Sequence, residues 1–193
     1  MCGIFGIISE NYINNNELNI LAENARQRGK DSSGILEFAD NQYKIKRYDY
    51  DISKSIKNRS KNTKILIGHS RLVTTSMTDN QPVFKNNISV IHNGIITNFQ
   101  KLYKKFNFEQ KYNIDTEIII DLINYYLNKS DNISYAINSV LSQIEGTASC
   151  IVHLVKKRKL VLFSNNGSLY VAKKNNNTYI SSESYPLKKI KCE

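Results

Sequence analysis

Apolar residues crowd the first few positions of the chain: Gly3-Ile4-Phe5-Gly6-Ile7-Ile8 contains no charged side chain. A short continuous apolar run of this kind predicts a buried β-strand over Cys2–Ile8, with glycines that admit other backbone at close range. Next, Leu18, Leu21, Ala22 and Ala25 recur at helical spacing, which predicts a helix ending near Gly29. Ser32-Ser33-Gly34 reads as a loop. Strands follow near Ile35–Phe38 and Tyr43–Tyr48, and Lys44, Lys46 and Arg47 leave one face of the latter wet. Asp51–Asn62 is polar and fits a short helix or a surface loop. Ile65–Gly68 is a buried strand leading into His69-Ser70-Arg71, followed by a Thr- and Asn-rich loop through Asp79-Asn80-Gln81-Pro82. Ile88–His92 is a further strand, ended by the turn dipeptide Asn93-Gly94.

Helical periodicity then dominates, over Asn98–Phe106, Thr116–Leu127 and Ile133–Ile144, with Asp115-Thr116-Glu117 resembling a capped helix start. The remaining segments alternate as strands: Ala148–Val155, Lys159–Ser164, Ser168–Lys173 and Thr178–Ser182. The breaks at Asn165-Asn166-Gly167 and Asn175-Asn176-Asn177 predict antiparallel hairpins. Strands at both ends with helices between them define an α+β domain, with two sheets packed between helical layers.

Composition narrows the function classes. A chain of 193 residues without internal repeat or long linker suits a single domain, taken as residues 2–193. Hydrophobic residues make up 40% and charged residues 23%, ordinary for a globular protein. No apolar run approaches the roughly 18 residues of a membrane span, and no signal peptide is evident, so the expected location is the cytoplasm. Cys2, Cys150 and Cys192 form neither a disulfide framework nor a metal-ligand cluster; Cys150 reads as a core residue and Cys192 as exposed. The formal charge of +10 comes mostly from lysines spread along the whole chain. A basic chain can attract nucleic acid, but the absence of a basic helix or an aromatic–basic strand motif argues against that, and an acidic partner or a phosphorylated substrate explains the charge at least as well.

The candidate chemistry starts at Cys2. Once Met1 is removed, this residue carries both a thiol and a free α-amine, a nucleophile and a base in one residue. Polar groups then cluster where strands give way to loops, at Arg28-Gly29-Lys30-Asp31-Ser32-Ser33-Gly34, Gly68-His69-Ser70-Arg71-Leu72-Val73-Thr74, His92-Asn93-Gly94-Ile95-Ile96-Thr97-Asn98-Phe99 and Asp115-Thr116-Glu117. Singly, each has an ordinary reading as a turn, a surface loop or a helix cap.

Together and in this order, these segments resemble the class II glutamine amidotransferase domain, the N-terminal-cysteine glutaminase of the N-terminal nucleophile hydrolases. The resemblance runs from Cys2 through Ser181-Ser182-Glu183-Ser184 and is nearest to the glutaminase halves of amidophosphoribosyltransferase and glucosamine-6-phosphate synthase. It implies a four-layer αββα fold with two packed, mainly antiparallel sheets. It also implies hydrolysis of the side-chain amide of L-glutamine to glutamate and ammonia through a thioester on Cys2, with no metal or cofactor. The α-amine of Cys2 would carry the proton. Asn93 and the backbone N–H of Gly94 would form the oxyanion hole, and Arg28 would support the site near Cys2, with Asp31 ordering its loop. Arg71 would hold the glutamine α-carboxylate, Asp115 its α-ammonium, and Thr74 would line the pocket. His69 and His92 then read as structural. The chain departs from the sugar-phosphate branch at Leu72, where an aromatic is usual, and at Thr75, where a histidine is usual; both bear on the lid and on coupling to an acceptor.

No phosphate-cradling glycine loop or phosphosugar domain is evident, so either ammonia passes to a separate synthase subunit, or the chain is a piece of a longer protein, or ammonia is released to solvent; the separate subunit is the expected acceptor. Three other readings compete. One is an N-terminal nucleophile hydrolase acting on another amide, against which the pair Arg71 and Asp115 argues. The second is a catalytically silent glutamine-binding or regulatory module, against which Cys2, Asn93 and Gly94 argue. The third is a nucleic-acid binder.

Overall fold

The apolar N-terminal run is extended as strand β1 (Gly3–Ile8), flanked on both sides. It pairs antiparallel with β4 (Ile65–Arg71) and with β10 (Asn177–Ser181). A strand with two neighbours needs apolar residues throughout: Phe5 and Ile7 join the core under the helices, and Ile4 on the other face is fully buried as well. The computed structural model describes residues 2–72 and 79–193. The chain divides into two units, residues 1–82 with 168–193, and residues 83–167.

The first unit is built on a six-stranded sheet of order β3-β2-β4-β1-β10-β9, with β2 at Ser32–Ala39, β3 at Gln42–Tyr48 and β9 at Tyr170–Lys174. Helix α1 (Asn15–Arg28) lays Leu18, Leu21, Ala22 and Ala25 against Phe5, Ile35 and Leu66. The side chain of Asn14 caps it by accepting from the N–H groups of Asn16 and Glu17, and Arg26 and Arg28 in its last turn suit the helix dipole. A Cβ on Gly3 would lie 2.5 Å from the carbonyl oxygen of Ala25, so the helix crosses the start of β1 at backbone contact.

Ser32-Ser33-Gly34, expected as a loop, is instead the first part of β2. Its residues pair with Arg71, Ser70 and His69. Ladder hydrogen bonds override the local turn preference of the triplet, and the Ser33 hydroxyl is satisfied by the carbonyl of Tyr50 at 2.5 Å and by the hydroxyl of Ser55. The polar stretch after Asp51 forms a four-residue helix α2 (Ile52–Ser55) and a 3₁₀ turn over Ile56–Asn58, with Ile52 and Ile56 buried. A helix not anticipated from the pattern, α6 (Ser184–Ile190), buries Leu187 and Ile190. Cys192, expected to be exposed, is half-buried against this core, because the Glu193 and Lys173 backbones exchange hydrogen bonds of 2.7 and 2.8 Å.

The second unit is a four-stranded antiparallel sheet of order β5-β6-β7-β8: Val83–Lys85, Ile88–Ile96, Gly146–Leu154 and Lys159–Ser164. Asn86 and Asn87, with φ of 53° and 59°, make the tight left-handed turn that joins β5 to β6. Helices α3 (Phe99–Phe106), α4 (Thr116–Lys129) and α5 (Ile133–Gln143) cover one face, with Ile118, Ile119, Leu122 and Val140 packed on Val90, Cys150 and Val152. Cys150 is thus the core residue expected.

Two segments expected to reverse the chain do not. Asn93-Gly94 is not a turn: β6 runs straight through it to Ile96, paired with β7. Gly94 has φ of 150°, and a Cβ there would stand 1.9 Å from the Thr147 carbonyl oxygen, so glycine serves close strand contact rather than reversal. Nor does Asn165-Asn166-Gly167 close a hairpin, since β8 belongs to the four-stranded sheet and β9 to the six-stranded one. The fold is α+β, and each unit supplies one antiparallel sheet with its own helical layer. Among the described residues, no helix is long and apolar enough to cross a membrane.

Candidate active site

In the first unit the predicted residues gather at the head of β1. Arg28, at the end of α1, donates from Nε to the carbonyl oxygen of Cys2 at 3.0 Å and from Nη1 to Glu183 Oε1 at 2.7 Å. Glu183 immediately precedes α6, where its own N–H is held by the Ser181 hydroxyl at 3.1 Å. The strand end is fixed from the same side, because Ile4 donates to the Ser182 hydroxyl at 3.2 Å and Ser182 donates back to the Ile4 carbonyl at 2.9 Å. Cys2 itself is partly exposed.

Arg71 closes β4, the neighbour of β1, one position beyond the pair Gly3–Ser70. The residue is 5% exposed, and its guanidinium donates from Nη1 to the carbonyl of Asp79. Its backbone carbonyl accepts from the N–H of Asp31 at 3.0 Å, and the Ser70 hydroxyl donates to the Gly29 carbonyl at 2.7 Å. The Arg28-Gly29-Lys30-Asp31 segment is thereby stitched to the end of β4. A Cβ on Gly29 would stand 2.3 Å from the Arg71 carbonyl carbon. Leu72 is exposed. Thr74 and Thr75 lie outside the described residues.

In the second unit Asn93, Gly94 and Asp115 come together. The strand register determines which way each peptide faces. Ala148, opposite Gly94, directs both its N–H and its C=O to Asn165, on the side away from β6. Gly94 therefore belongs to a pair that is not hydrogen-bonded across β6 and β7, and its N–H points to the opposite edge of β6. Ile96 shares that parity, and its N–H points to that edge and donates to Asp115 Oδ2 at 2.8 Å. The Gly94 N–H and the Asp115 carboxylate thus occupy the same edge, beyond the end of the short strand β5.

Asp115 precedes α4 as expected, but it does not cap the helix: its Oδ2 accepts from the Ile96 N–H of β6 instead. Asn93 is buried, and its Oδ1 has no hydrogen-bond partner among the described residues. His92 lies inside β6 with Nδ1 3.3 Å from the Thr116 hydroxyl and 4.0 Å from Asp115 Oδ1, and Nε2 3.2 Å from the Thr147 carbonyl. Burial pushes its imidazole below the ordinary value, outweighing the Asp115 carboxylate and the Thr147 carbonyl, which act the other way. His69 is likewise buried within β4.

Two structural partners of these residues escape the sequence pattern. Glu183 lies in the Ser181-Ser182-Glu183-Ser184 run, yet only the structure shows its ion pair with Arg28. Asn165 looks like loop filler, yet it bonds to the backbone of Gly146 and Ala148 in β7.

Residues 69–189 match the glutamine amidotransferase domain family. The chain is 30% identical over 207 residues to the glutamine–fructose-6-phosphate aminotransferase (isomerizing) of Buchnera aphidicola, covering 98% of this chain and 33% of that one. It is 25% identical over 189 residues to the amidophosphoribosyltransferase of Pasteurella multocida, covering 86% and 37%. Against the solved B. subtilis glutamine phosphoribosylpyrophosphate amidotransferase complexed with ADP and GMP, the TM-score is 0.75 at 20% identity, over 99% of this chain and 44% of that one. The chain therefore spans about a third of the length of the curated relatives it matches. With residues 69–189 inside the family and the α+β fold shared along nearly its whole length, the chain belongs to the class II glutamine amidotransferases, as a glutaminase domain.

Proposed function

We propose that residues 2–193 act as one glutaminase domain that cleaves the side-chain amide of L-glutamine through a thioester on Cys2. With Met1 removed, the α-amine accepts the thiol proton, and Sγ bonds to the amide carbon. As the tetrahedral intermediate collapses, the carbon–nitrogen bond breaks and ammonia leaves with a proton returned by the amine. Water then cleaves the thioester, giving glutamate and the free thiol. A typical α-amine titrates at about 7.7–8.0 and a free thiol near 8.5, so this exchange is almost balanced at neutral pH.

The observation that carries the reading is the edge of β6. Gly94 offers an N–H that its strand partner does not use, two residues from the Ile96 N–H that anchors Asp115. That N–H and the Asn93 amide would receive the oxyanion; losing one such donor typically costs about 3–4 kcal/mol. The forked guanidinium of Arg71 suits the α-carboxylate, and Asp115 suits the α-ammonium. Arg28 holds the Cys2 carbonyl, and Thr74 would line the pocket. The relatives' names describe transfer of glutamine nitrogen to an acceptor, and we place the acceptor of this domain's ammonia on a separate synthase subunit in the cytoplasm.

The test is glutamate release from glutamine, combined with mass spectrometry of the N-terminal peptide. The expected outcome is an active protein beginning at Cys2, a γ-glutamyl adduct on that residue, and no turnover by Cys2→Ala. Activity in protein that retains Met1, or in Cys2→Ala, would overturn the mechanism.

A further inference from the structure

We infer that Asn165 is a positioning residue for the oxyanion hole: it stands in for a missing strand beside β7 and so holds Gly94 in place. The inference rests on the proposed role of the Gly94 N–H. The last pair between β7 and β8 is Ser149 with Ser164. Beyond it, β7 still has Gly146, Thr147 and Ala148 to run, and these are the residues opposite Gly94, Ile95 and Ile96.

Asn165 supplies what β8 no longer can. Its N–H donates to the Ala148 carbonyl at 3.1 Å, its Oδ1 accepts from the Ala148 N–H at 2.8 Å, and its Nδ2 donates to the Gly146 carbonyl at 3.0 Å. One exposed residue thus pairs with both backbone groups of Ala148 and with the carbonyl of Gly146 on the outer edge of β7. Its own conformation is fixed in turn. The Asn166 N–H donates to the same Oδ1 at 2.6 Å, and the Ser164 hydroxyl bridges the Gly167 carbonyl at 2.7 Å and the Ser149 hydroxyl at 2.9 Å.

The coupling to Gly94 is steric. A Cβ at Gly94 would fall 1.9 Å from the Thr147 oxygen, so the glycine α-carbon rests on that peptide with no slack. The Thr147 peptide lies between the two residues that Asn165 holds. A shift of residues 146–148 moves Gly94 with it, and an oxyanion donor tolerates little displacement from the developing charge.

The experiment compares Asn165→Ala, Asn165→Asp, Asn93→Ala and the double variant Asn93→Ala/Asn165→Ala in steady-state glutamine hydrolysis, with unfolding midpoints recorded in parallel. Asn165→Ala is expected to lower kcat about tenfold while KM for glutamine stays within about twofold, because the donor acts on the transition state rather than on bound substrate. In Asn165→Asp an acceptor faces the Gly146 carbonyl where a donor stood, so it is expected to lower kcat as well, and it carries the test should Asn165→Ala not fold. The double variant is expected to be less than about twofold slower than Asn93→Ala, since both lesions act on one oxyanion. Unchanged kcat in the Asn165 variants beside a slow Asn93→Ala overturns this inference alone, as do fully additive losses. Full activity in Asn93→Ala overturns the oxyanion reading itself.

Discussion

At the scale of single residues, the head of β1 depends on one guanidinium with two tasks. Arg28 donates to the Cys2 carbonyl and to the Glu183 carboxylate at once, so Glu183 sets where Arg28 can stand. The pair is only partly shielded from solvent, and its effect belongs to alignment more than to stability. Glu183→Gln keeps the shape and loses the charge-assisted bond. It is expected to lower kcat about fivefold, roughly 1 kcal/mol, with little change in the unfolding midpoint. Rate and thermal denaturation measured on the same preparation check this; an unchanged rate would mean that Arg28 needs no partner. The residues of the proposed site, Cys2, Arg28, Arg71, Asn93, Gly94 and Asp115, all stand in motifs that the sequence displays. Glu183 was visible only as part of a motif, because an ion pair bridging residues 28 and 183 leaves no local pattern.

At the scale of elements, β6 shows how a strand partner overrules a turn signal. Asn-Gly favours chain reversal when the two flanking segments can pair only with each other. Here β7 offers a continuous partner from Ile88 to Ile96, and Gly94 meets the Thr147 carbonyl too closely for any side chain. Gly94→Ala is expected to destabilise the fold by about 2 kcal/mol or more and to abolish glutamine hydrolysis, since its methyl group would meet backbone rather than a yielding side chain. Denaturant unfolding and a glutaminase assay test both halves. Helix α1 offers a contrast, being legible from its own residues: spacing and terminal glycine agree, and the structure adds the Asn14 cap. Asn14→Ala removes an acceptor shared by two helix N–H groups and is expected to cost about 1 kcal/mol with activity retained per folded molecule.

At the scale of the whole molecule, buried histidines tie stability to pH. Burial holds both His92 and His153, in the second unit, below the ordinary imidazole value of 6.5. The unfolded chain therefore binds more protons than the native one as the pH falls, and stability drops below about pH 6.5. Above that value both states are neutral at these sites and the effect vanishes. The unfolding midpoint is expected to fall between pH 7.5 and pH 5.5, and less steeply in His153→Gln. A midpoint that holds or rises on acidification would show that these imidazoles are not neutral in the fold. The net charge of +10 sets the background for the whole chain without marking a site, since its lysines are dispersed rather than grouped.

The sequence by itself determined the elements whose pattern is local: the buried first strand, the amphipathic helices, the alternating strands, and the order of polar motifs that identifies the family. These follow from side-chain period and from residue chemistry, which neighbouring positions are enough to express. Tertiary structure alone decided that Ser32-Ser33-Gly34 and Asn93-Gly94 are strand, that residues 165–167 pass from one sheet to another, and that Asp115 serves β6 rather than its own helix. In each case the deciding hydrogen bond comes from a segment far away in the chain. Backbone donors and acceptors must be paired once buried, and the partner that pairs them need not be a neighbour in sequence.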